Sequence, residues 1–183
     1  MNHQGTKQLE TERLLLRPFT LEDAESMFRN WAGDPEVTRY LTWPTHTSVK
    51  DSGGFISYCV SHYADPSFYN WGIVLKSTGE LIGNIGVVHS DDAVRWAELG
   101  WVLGRAWWGR GIMPEAARRV LDLLFDETGF ERVTAKHDTE NPKSGRVMQK
   151  IGMTYEGTLR RSHLNNRGIV DVAVYSLLLS ERK

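Results

Sequence analysis

The feature that most constrains this chain is a strand-like run that leads through a glycine-rich loop directly into a helix. It spans residues 98–121, ELGWVLGRAWWGRGIMPEAARRVL, and its loop contains Gly104, Gly109 and Gly111. At such a junction, unpaired backbone N–H groups and the positive end of the helix dipole point to one place. Residues 105–119 add four arginines against a single glutamate. We therefore favour an anion site, suited to a phosphate, over an ordinary turn beside a solvated arginine face.

Two common phosphate-binding motifs do not fit this loop. The pattern GxxxxGK[ST] fails because neither Lys-Ser nor Lys-Thr follows a glycine here. The pattern GxGxxG fails because its third glycine would fall on Pro114. The preceding strands also predict an antiparallel meander, whereas a dinucleotide fold needs a parallel β-α-β unit. The sequence therefore predicts neither an NTPase nor a dinucleotide-binding protein.

The hydrophobic pattern along the chain predicts one α+β domain over residues 1–183, with a core at about 9–179. Predicted strands cover residues 9–18, 70–76, 81–89, 94–103, 131–137, 154–160 and 169–179, and predicted helices cover residues 20–31, 48–63, 114–128 and a short stretch after Asn141-Pro142. Thr20 with Asp23 forms a capping-box pattern, and Gly129 is placed to end the long helix.

Composition and charge exclude several classes of protein. Twenty-two Lys and Arg against 23 Asp and Glu give a net charge of −1, which argues against direct nucleic-acid binding. No apolar run reaches about 18 residues, so no membrane partner is expected. The first ten residues carry no secretory pattern, and the lone Cys59 suits a reducing cytoplasm. The six histidines show no metal-ligand spacing, so we expect no metal.

Three motifs, taken in order, resemble the GCN5-related N-acetyltransferase (GNAT) family, and within it the RimJ/RimL-type ribosomal-protein N-acetyltransferases. They are LETERLLLRPFTLEDAESMF, AELGWVL…WWGRGIMPEA and NPKSGRVMQKIGMTYEG. The resemblance covers about residues 9–179. It implies a GNAT-like domain whose mixed, mostly antiparallel central sheet has six to seven strands, flanked by about four helices. It also implies acetyl-CoA as co-substrate.

The resemblance assigns cofactor-binding residues one by one. One loop would wrap the pyrophosphate of the cofactor; it consists of Trp108, Gly109, Arg110, Gly111, Ile112 and Met113. Backbone groups of Trp101, Val102 and Leu103 would pair with the pantetheine arm, where the family's central strands separate. Asn141 and Ser144 match an Asn-x-x-Ser that reaches the pantetheine and thioester. Lys143 and Arg146 are candidates for phosphate contact, with solvated surface charge as the alternative. The leading Gln or Arg of the family's loop signature is replaced by Ala106, beside Arg105.

Two side chains are candidates for catalysis. Acetyl transfer needs a neutral amine and a proton for the departing thiolate. Glu98 matches the glutamate of the family's ELGW-like strand and is our candidate base, directly or through water, with an exposed or salt-bridged strand residue as the alternative. Ser144 is the candidate acid, because the tyrosine that many relatives use is replaced by Met148; helix capping is its alternative role. His163, predicted in a connection, is a second candidate base beside the simpler interpretation of an exposed histidine.

The acceptor is predicted to be a primary amine, first of all a protein N-terminal α-amine. Trp31, Tyr40, Trp43 and Trp71 fall in segments that line the family's acceptor cleft, with core packing as the alternative for each of them. Residues 38–52 are expected to set acceptor choice. A small amine, amino acid or antibiotic is the alternative acceptor. A catalytically silent acyl-CoA-binding module is the alternative function. The expected partners are thus acetyl-CoA and the amine, with a homodimer left open.

Overall fold

Hydrophobic runs separated by short polar turns form the centre of one open sheet. The computed structural model describes residues 1–182. The sheet order is β1-β2-β3-β4-β5-β6-β8-β7, and neighbours are antiparallel except for β5 and β6, which are parallel. The strands are β1 (Leu9–Glu10), β2 (Leu14–Arg17), β3 (Asn70–Leu75), β4 (Glu80–Asp91), β5 (Trp96–Leu103), β6 (Arg132–Asp138), β7 (Thr154–Asn165) and β8 (Gly168–Leu178). The predicted α+β fold with a mixed, mostly antiparallel sheet is confirmed. It has eight strands because the first predicted strand divides into two.

Five α-helices flank the sheet within residues 1–182, and capping residues mark some of their ends. They are α1 (Ala24–Met27), α2 (Pro35–Thr38), α3 (Val49–His62), α4 (Ile112–Asp122) and α5 (Pro142–Lys150). The N–H of Thr20 donates to Asp23 at 2.8 Å, in the 3-10 turn that leads into α1. The helix α4 continues as a π-helical turn over Leu123–Thr128 and ends at Gly129, whose φ of +91° is left-handed. None of the helices within residues 1–182 combines the length and apolar character needed to cross a membrane.

Both faces of the sheet are buried, each in its own apolar cluster. One cluster packs α4, its π-helical extension and α5 against the sheet, through residues such as Leu99 and Val120. The other packs α1 and α3 on the opposite face and contains Trp31 and Val102. Alternate residues of β5 therefore enter different clusters, as the two-residue period of a strand requires. Cys59 lies fully buried in the second cluster, where burial raises the pKa of its thiol to about 12.

The strand β7 extends five residues beyond the prediction. Residues 160–162 bulge opposite Asp171 alone, and Arg161 adopts a left-handed φ of +49°. Its N–H donates to Asp171 Oδ1 at 2.7 Å. The bulge breaks the alternation by which a strand is detected, so the prediction ended at Arg160. His163, predicted in a connection, therefore lies within a strand, opposite Val170.

Candidate active site

The parallel strands β5 and β6 pair over only three positions and then separate. The pairs run from Trp96 with Arg132 to Glu98 with Thr134. Beyond them, β5 continues to Leu103 beside β4, while β6 continues beside β8. Backbone groups of β5 that face the gap consequently have no strand partner there, and buried backbone groups require one. Trp101, Val102 and Leu103, predicted to bind the cofactor through their backbones, lie on this stretch and line the cavity that opens from it.

The cavity follows β5 from Glu98 to the glycine-rich loop and has a volume of about 1100 Å³. It takes in most of the residues that the sequence analysis singled out. The predicted site residues on its walls are Glu98, Trp101, Val102, Leu103, Trp108, Gly109, Gly111, Ile112, Met113, Asn141 and Ser144. Segments far apart in the chain thus meet around one cavity, whose volume is large enough for a ligand and a second reactant.

The glycine-rich loop has the backbone geometry of an anion site. Gly109 and Gly111 have φ values of +76° and +74°, in the left-handed region that side chains rarely adopt. Gly111 immediately precedes α4, so the amides of Ile112 and Met113 stand at the positive end of that helix. Such an arrangement offers several N–H donors to one negatively charged group.

Arg13 fastens this loop from the opposite side. Its Nη1 donates to the backbone carbonyl of Arg110 at 3.0 Å, and its Nε donates to Glu115 in the first turn of α4 at 2.7 Å. Burial opposes ionisation of Glu115, but hydrogen bonds from Thr11 and Arg13 hold the pKa of that carboxyl below its ordinary value. Arg13 is not among the residues predicted for the site, since no local signal connects it to Glu115, about a hundred residues away in the sequence.

Two arginines of the loop do not line the cavity. Arg110 is exposed, and it is the one predicted cofactor-binding residue that is not on the cavity wall. Arg105 is held by Asp34, with Nε 2.9 Å from Oδ2. The arginine next to Ala106 is therefore engaged in an ion pair with the segment that precedes α2.

The first turn of α5 forms the wall opposite the loop. Lys143 Nζ lies 4.0 Å from the centre of the Trp108 ring, and Trp108 in turn donates from Nε1 to the Leu103 carbonyl at 2.7 Å. Gly145 packs so closely on β6 that a Cβ there would lie 2.7 Å from His137 Nε2. This contact brings Asn141 and Ser144 against the cavity. The Asn141 side chain does not cap the helix.

Glu98 lies where the paired part of β5 ends. It is 9% exposed, and its Oε1 is 3.0 Å from Lys136 Nζ on β6. Glu98, Lys136 and His163 all line the cavity. Burial lowers the pKa of His163 and Lys136 lowers it further, with Glu98 and Asp138 partly offsetting them. An ion pair and an imidazole that favours its neutral form thus share this part of the cavity.

The aromatic residues predicted to line the acceptor cleft divide into two groups. Trp31, Tyr40 and Trp43 line the cavity. Trp71 follows the core-packing alternative: its side chain is fully buried, and Nε1 donates to the Lys7 carbonyl at 2.7 Å. Trp31 is equally buried, but its Nε1 has no hydrogen-bond partner within residues 1–182. Strand alternation shows which residues share a face, but not which of them meets a cleft.

The residues that the structure describes contain no group of three or more His, Cys, Asp or Glu side chains arranged to hold a metal ion. The polar groups of the cavity are the backbone amides of the loop and the side chains of lysines, arginines, carboxylates, hydroxyls, amides and four histidines. They can bind an anionic ligand at the loop and transfer protons near Glu98.

Comparison with known proteins agrees with this geometry. A family model described as "Acetyltransferase (GNAT) domain" matches residues 13–154. The chain is 34% identical to the uncharacterized N-acetyltransferase p20 of Bacillus licheniformis, over 94% of this chain and 97% of that protein. It is 32% identical to the putative ribosomal N-acetyltransferase YdaF of Bacillus subtilis, over 65% and 64%. The crystal structure of a GNAT-family acetyltransferase from Bacillus anthracis superposes with a TM-score of 0.84 at 28% identity, covering 95% of this chain and 99% of that one.

Proposed function

Because this chain belongs to the GNAT acetyltransferase family and is an N-acetyltransferase, we propose that it transfers acetyl from acetyl-CoA directly to a protein N-terminal α-amine, in the manner of the RimJ/RimL type. The observation that carries this proposal is the separation of β5 from β6, which leads to a loop with two left-handed glycines. A gap with free backbone groups suits an extended amide-bearing arm, and the loop suits the diphosphate at the end of that arm.

The residues around the cavity fit acetyl-CoA along its length. The amides of residues 109–113 would hold the pyrophosphate, and Lys143 and Arg146 supply positive charge at the cavity wall. Backbone groups of Trp101, Val102 and Leu103 would pair with the pantetheine, and Asn141 and Ser144 would reach its thioester end. The co-substrate supplies the activated acetyl group, and the protein supplies position and proton transfer.

The reaction requires two proton movements. The amine must first lose a proton, for which we propose Glu98, acting directly or through a water molecule. The amine lone pair then forms the C–N bond, the C–S bond breaks, and the sulfur of coenzyme A takes a proton from the Ser144 hydroxyl. That hydroxyl regains the proton that the nitrogen loses as the amide forms. An α-amine, with a pKa near 8, needs less help from a base than a lysine amine near 10.4.

The charges near Glu98 favour an acceptor with a single ammonium group. Glu98 is paired with Lys136, and Asp138 is paired with Arg167 at 2.9 Å. Both carboxylates are paired with cations, so neither is free to attract a second ammonium group, as a polyamine would require. Tyr40 and Trp43 offer apolar surface to the residues that follow a peptide's N-terminus. The likeness to YdaF, named a putative ribosomal N-acetyltransferase, points in the same direction.

The test measures release of free coenzyme A thiol with a panel of amines. The panel contains short peptides with free N-termini, the same peptides acetylated at the N-terminus as matched controls, and small amines including spermidine and free amino acids. We expect release with the free peptides, no release with their acetylated forms, and a mass increase of one acetyl group at the α-amine. Release with small amines alone would show that the acceptor is a small amine and not a protein N-terminus. Binding of coenzyme A without release from any amine would indicate a silent acyl-CoA-binding module.

A further inference from the structure

The turn between β7 and β8 forms hydrogen bonds with a segment that is remote in the sequence. Residues 38–43, named here the acceptor-site wall, begin at the last residue of α2, and most of them line the cavity. Asn166 in the turn donates from Nδ2 to the carbonyls of Thr38 at 2.9 Å and Trp43 at 2.7 Å. Its backbone N–H donates to the Leu41 carbonyl at 3.1 Å. One residue therefore bonds to both ends and the middle of the acceptor-site wall.

The same turn is fastened to the end of β6. Asn165 donates from Nδ2 to Asp138 Oδ2 at 2.8 Å, and Arg167 Nη1 lies 2.9 Å from the same oxygen. Arg167 also pairs with Glu140 at 2.5 Å. Burial opposes ionisation of Asp138, but hydrogen bonds from Glu140, Asn165 and Arg167 hold the pKa of its carboxyl below the ordinary value. The turn is thus fixed to the strand that leads to Asn141, on the side of the cavity proposed for the cofactor.

The acceptor-site wall has little regular structure to hold it in place. Its only helical residue is Thr38, at the end of the four-residue helix α2, and residues 41–47 form neither helix nor strand. Within the wall, the Leu41 N–H donates to the Thr38 carbonyl at 2.8 Å. The Tyr40 ring centre lies 5.7 Å from the Arg167 guanidinium carbon, which adds a contact from the turn. Leu41 and Trp43 pack against the second apolar cluster, and the turn supplies the hydrogen bonds that hold the backbone of the wall between Thr38 and Trp43.

We infer that the β7–β8 turn is a clasp that positions the acceptor-site wall, and that Asn166 is its positioning residue. The bonds of Asn166 hold the wall at one distance from β6, and this sets the width of the cavity where the amine must approach. Its importance for the acceptor rests on the proposed function, whereas its role in holding the wall does not. Asn166 itself touches no reacting atom; it acts through the wall.

The first experiment measures hydrogen exchange of backbone amides in residues 38–43, above all Leu41. Asn166→Asp keeps the shape of the side chain but places a carboxylate oxygen against two carbonyl oxygens, and Asn166→Ala removes the two donors. We expect exchange in the wall to rise by about tenfold or more in both variants, consistent with the loss of two hydrogen bonds. Leu164→Ala is the matched control, since Leu164 lies in the same hairpin with 66% of its surface exposed. Unchanged exchange in both Asn166 variants would overturn the inference.

The second experiment separates positioning from a general loss of structure. Exchange at Ile85, in the centre of β4, and the affinity for coenzyme A should stay as in the unmodified protein. With an accepted peptide, the KM for the peptide should rise about fivefold or more, with a smaller change in kcat. An equal loss of coenzyme A affinity, or an unchanged peptide KM, would contradict a positioning role toward the acceptor. Hydrogen exchange needs no acceptor, so the clasp is tested even if no peptide is acetylated, a result that would count against the proposed function alone.

Discussion

The Oε1 atom of Glu98 lies 3.0 Å from Nζ of Lys136, at the last position where β5 still pairs with β6. The pair connects the two strands whose separation opens the cavity. The carboxylate is buried, and its partner lies on the neighbouring strand. Together these contacts fix the orientation of the Glu98 side chain, whereas an unpaired side chain on an exposed strand would be free to rotate. Glu98 thus stands in a fixed position at the mouth of the gap between the strands.

Replacing Glu98 with glutamine should lower kcat by about 100-fold or more, because the amide cannot take the amine's proton. Affinity for coenzyme A should change little, since the cofactor is proposed to bind by backbone amides farther along β5. Steady-state kinetics with an accepted peptide and calorimetric titration with coenzyme A check the two parts. Glu36→Gln is the control, as Glu36 is an exposed carboxylate that also lines the cavity. Equal turnover in the Glu98 variant would remove it from the mechanism.

The imidazole of His163 should titrate below 6.5, and two substitutions should move its pKa in opposite directions. Burial lowers the pKa, Lys136 lowers it further, and Glu98 raises it. Lys136→Met removes the repelling positive charge, so the pKa should rise. Glu98→Gln removes the attracting negative charge, so the pKa should fall further. Proton NMR of the imidazole during a pH titration measures both changes, with His163→Gln to assign the signal. Shifts in the same direction would contradict the charge arrangement.

A valine at Gly109 should weaken coenzyme A binding by about 100-fold or more, because the left-handed turn that aims the loop amides is lost. Gly79, in the β3–β4 turn, is a matched control: its φ is +71°, against +76° at Gly109, and a Cβ at either position meets no atom within 4 Å. Both valines should cost about 1–2 kcal/mol of folding free energy from the unfavourable φ. Only the Gly109 variant should lose affinity. Urea unfolding and calorimetry measure the two quantities, and unaltered affinity at Gly109 would refute the phosphate-loop assignment.

Trp31→Phe should destabilise the fold less than Trp71→Phe, by about 1 kcal/mol. Both side chains are fully buried, so the loss of apolar volume is similar. The Trp71 variant also leaves the Lys7 carbonyl without its donor, whereas Trp31 Nε1 has no partner to lose within residues 1–182. Urea unfolding of the two variants under one condition gives the difference. A larger loss at Trp31 would show that its N–H is bonded in solution.

The sequence predicted those parts of the site whose signals are local. The glycine-rich loop is defined within one short run, where a strand ends, left-handed positions follow and a helix begins. The helix ends at Thr20 and Gly129 were predicted for the same reason, since capping depends on residues three or four positions apart.

The contacts that complete the site join residues far apart in the chain, and the sequence did not reveal them. Glu98 and Lys136 meet because of the register between parallel strands, and Asn166 meets Trp43 at the end of a strand that continues past a bulge. Neither register nor bulge is encoded in the alternation of polar and apolar residues. Trp71 could not be assigned between cleft and core for a similar reason, because hydrophobicity marks a residue for burial without showing which of the two it lines.

Where β5 departs from β6, the sheet gives up ladder bonds that a continuous sheet would form. Any extended molecule that satisfies those backbone groups stabilises the native state by mass action, by about 2.7 kcal/mol at a hundred times its dissociation constant. The rise in melting temperature can therefore rank acyl-CoA molecules with different acyl chains by their affinity, before any amine acceptor is known. The separation of the two strands thus makes the thermal stability of the protein a measure of how tightly it binds each acyl-CoA.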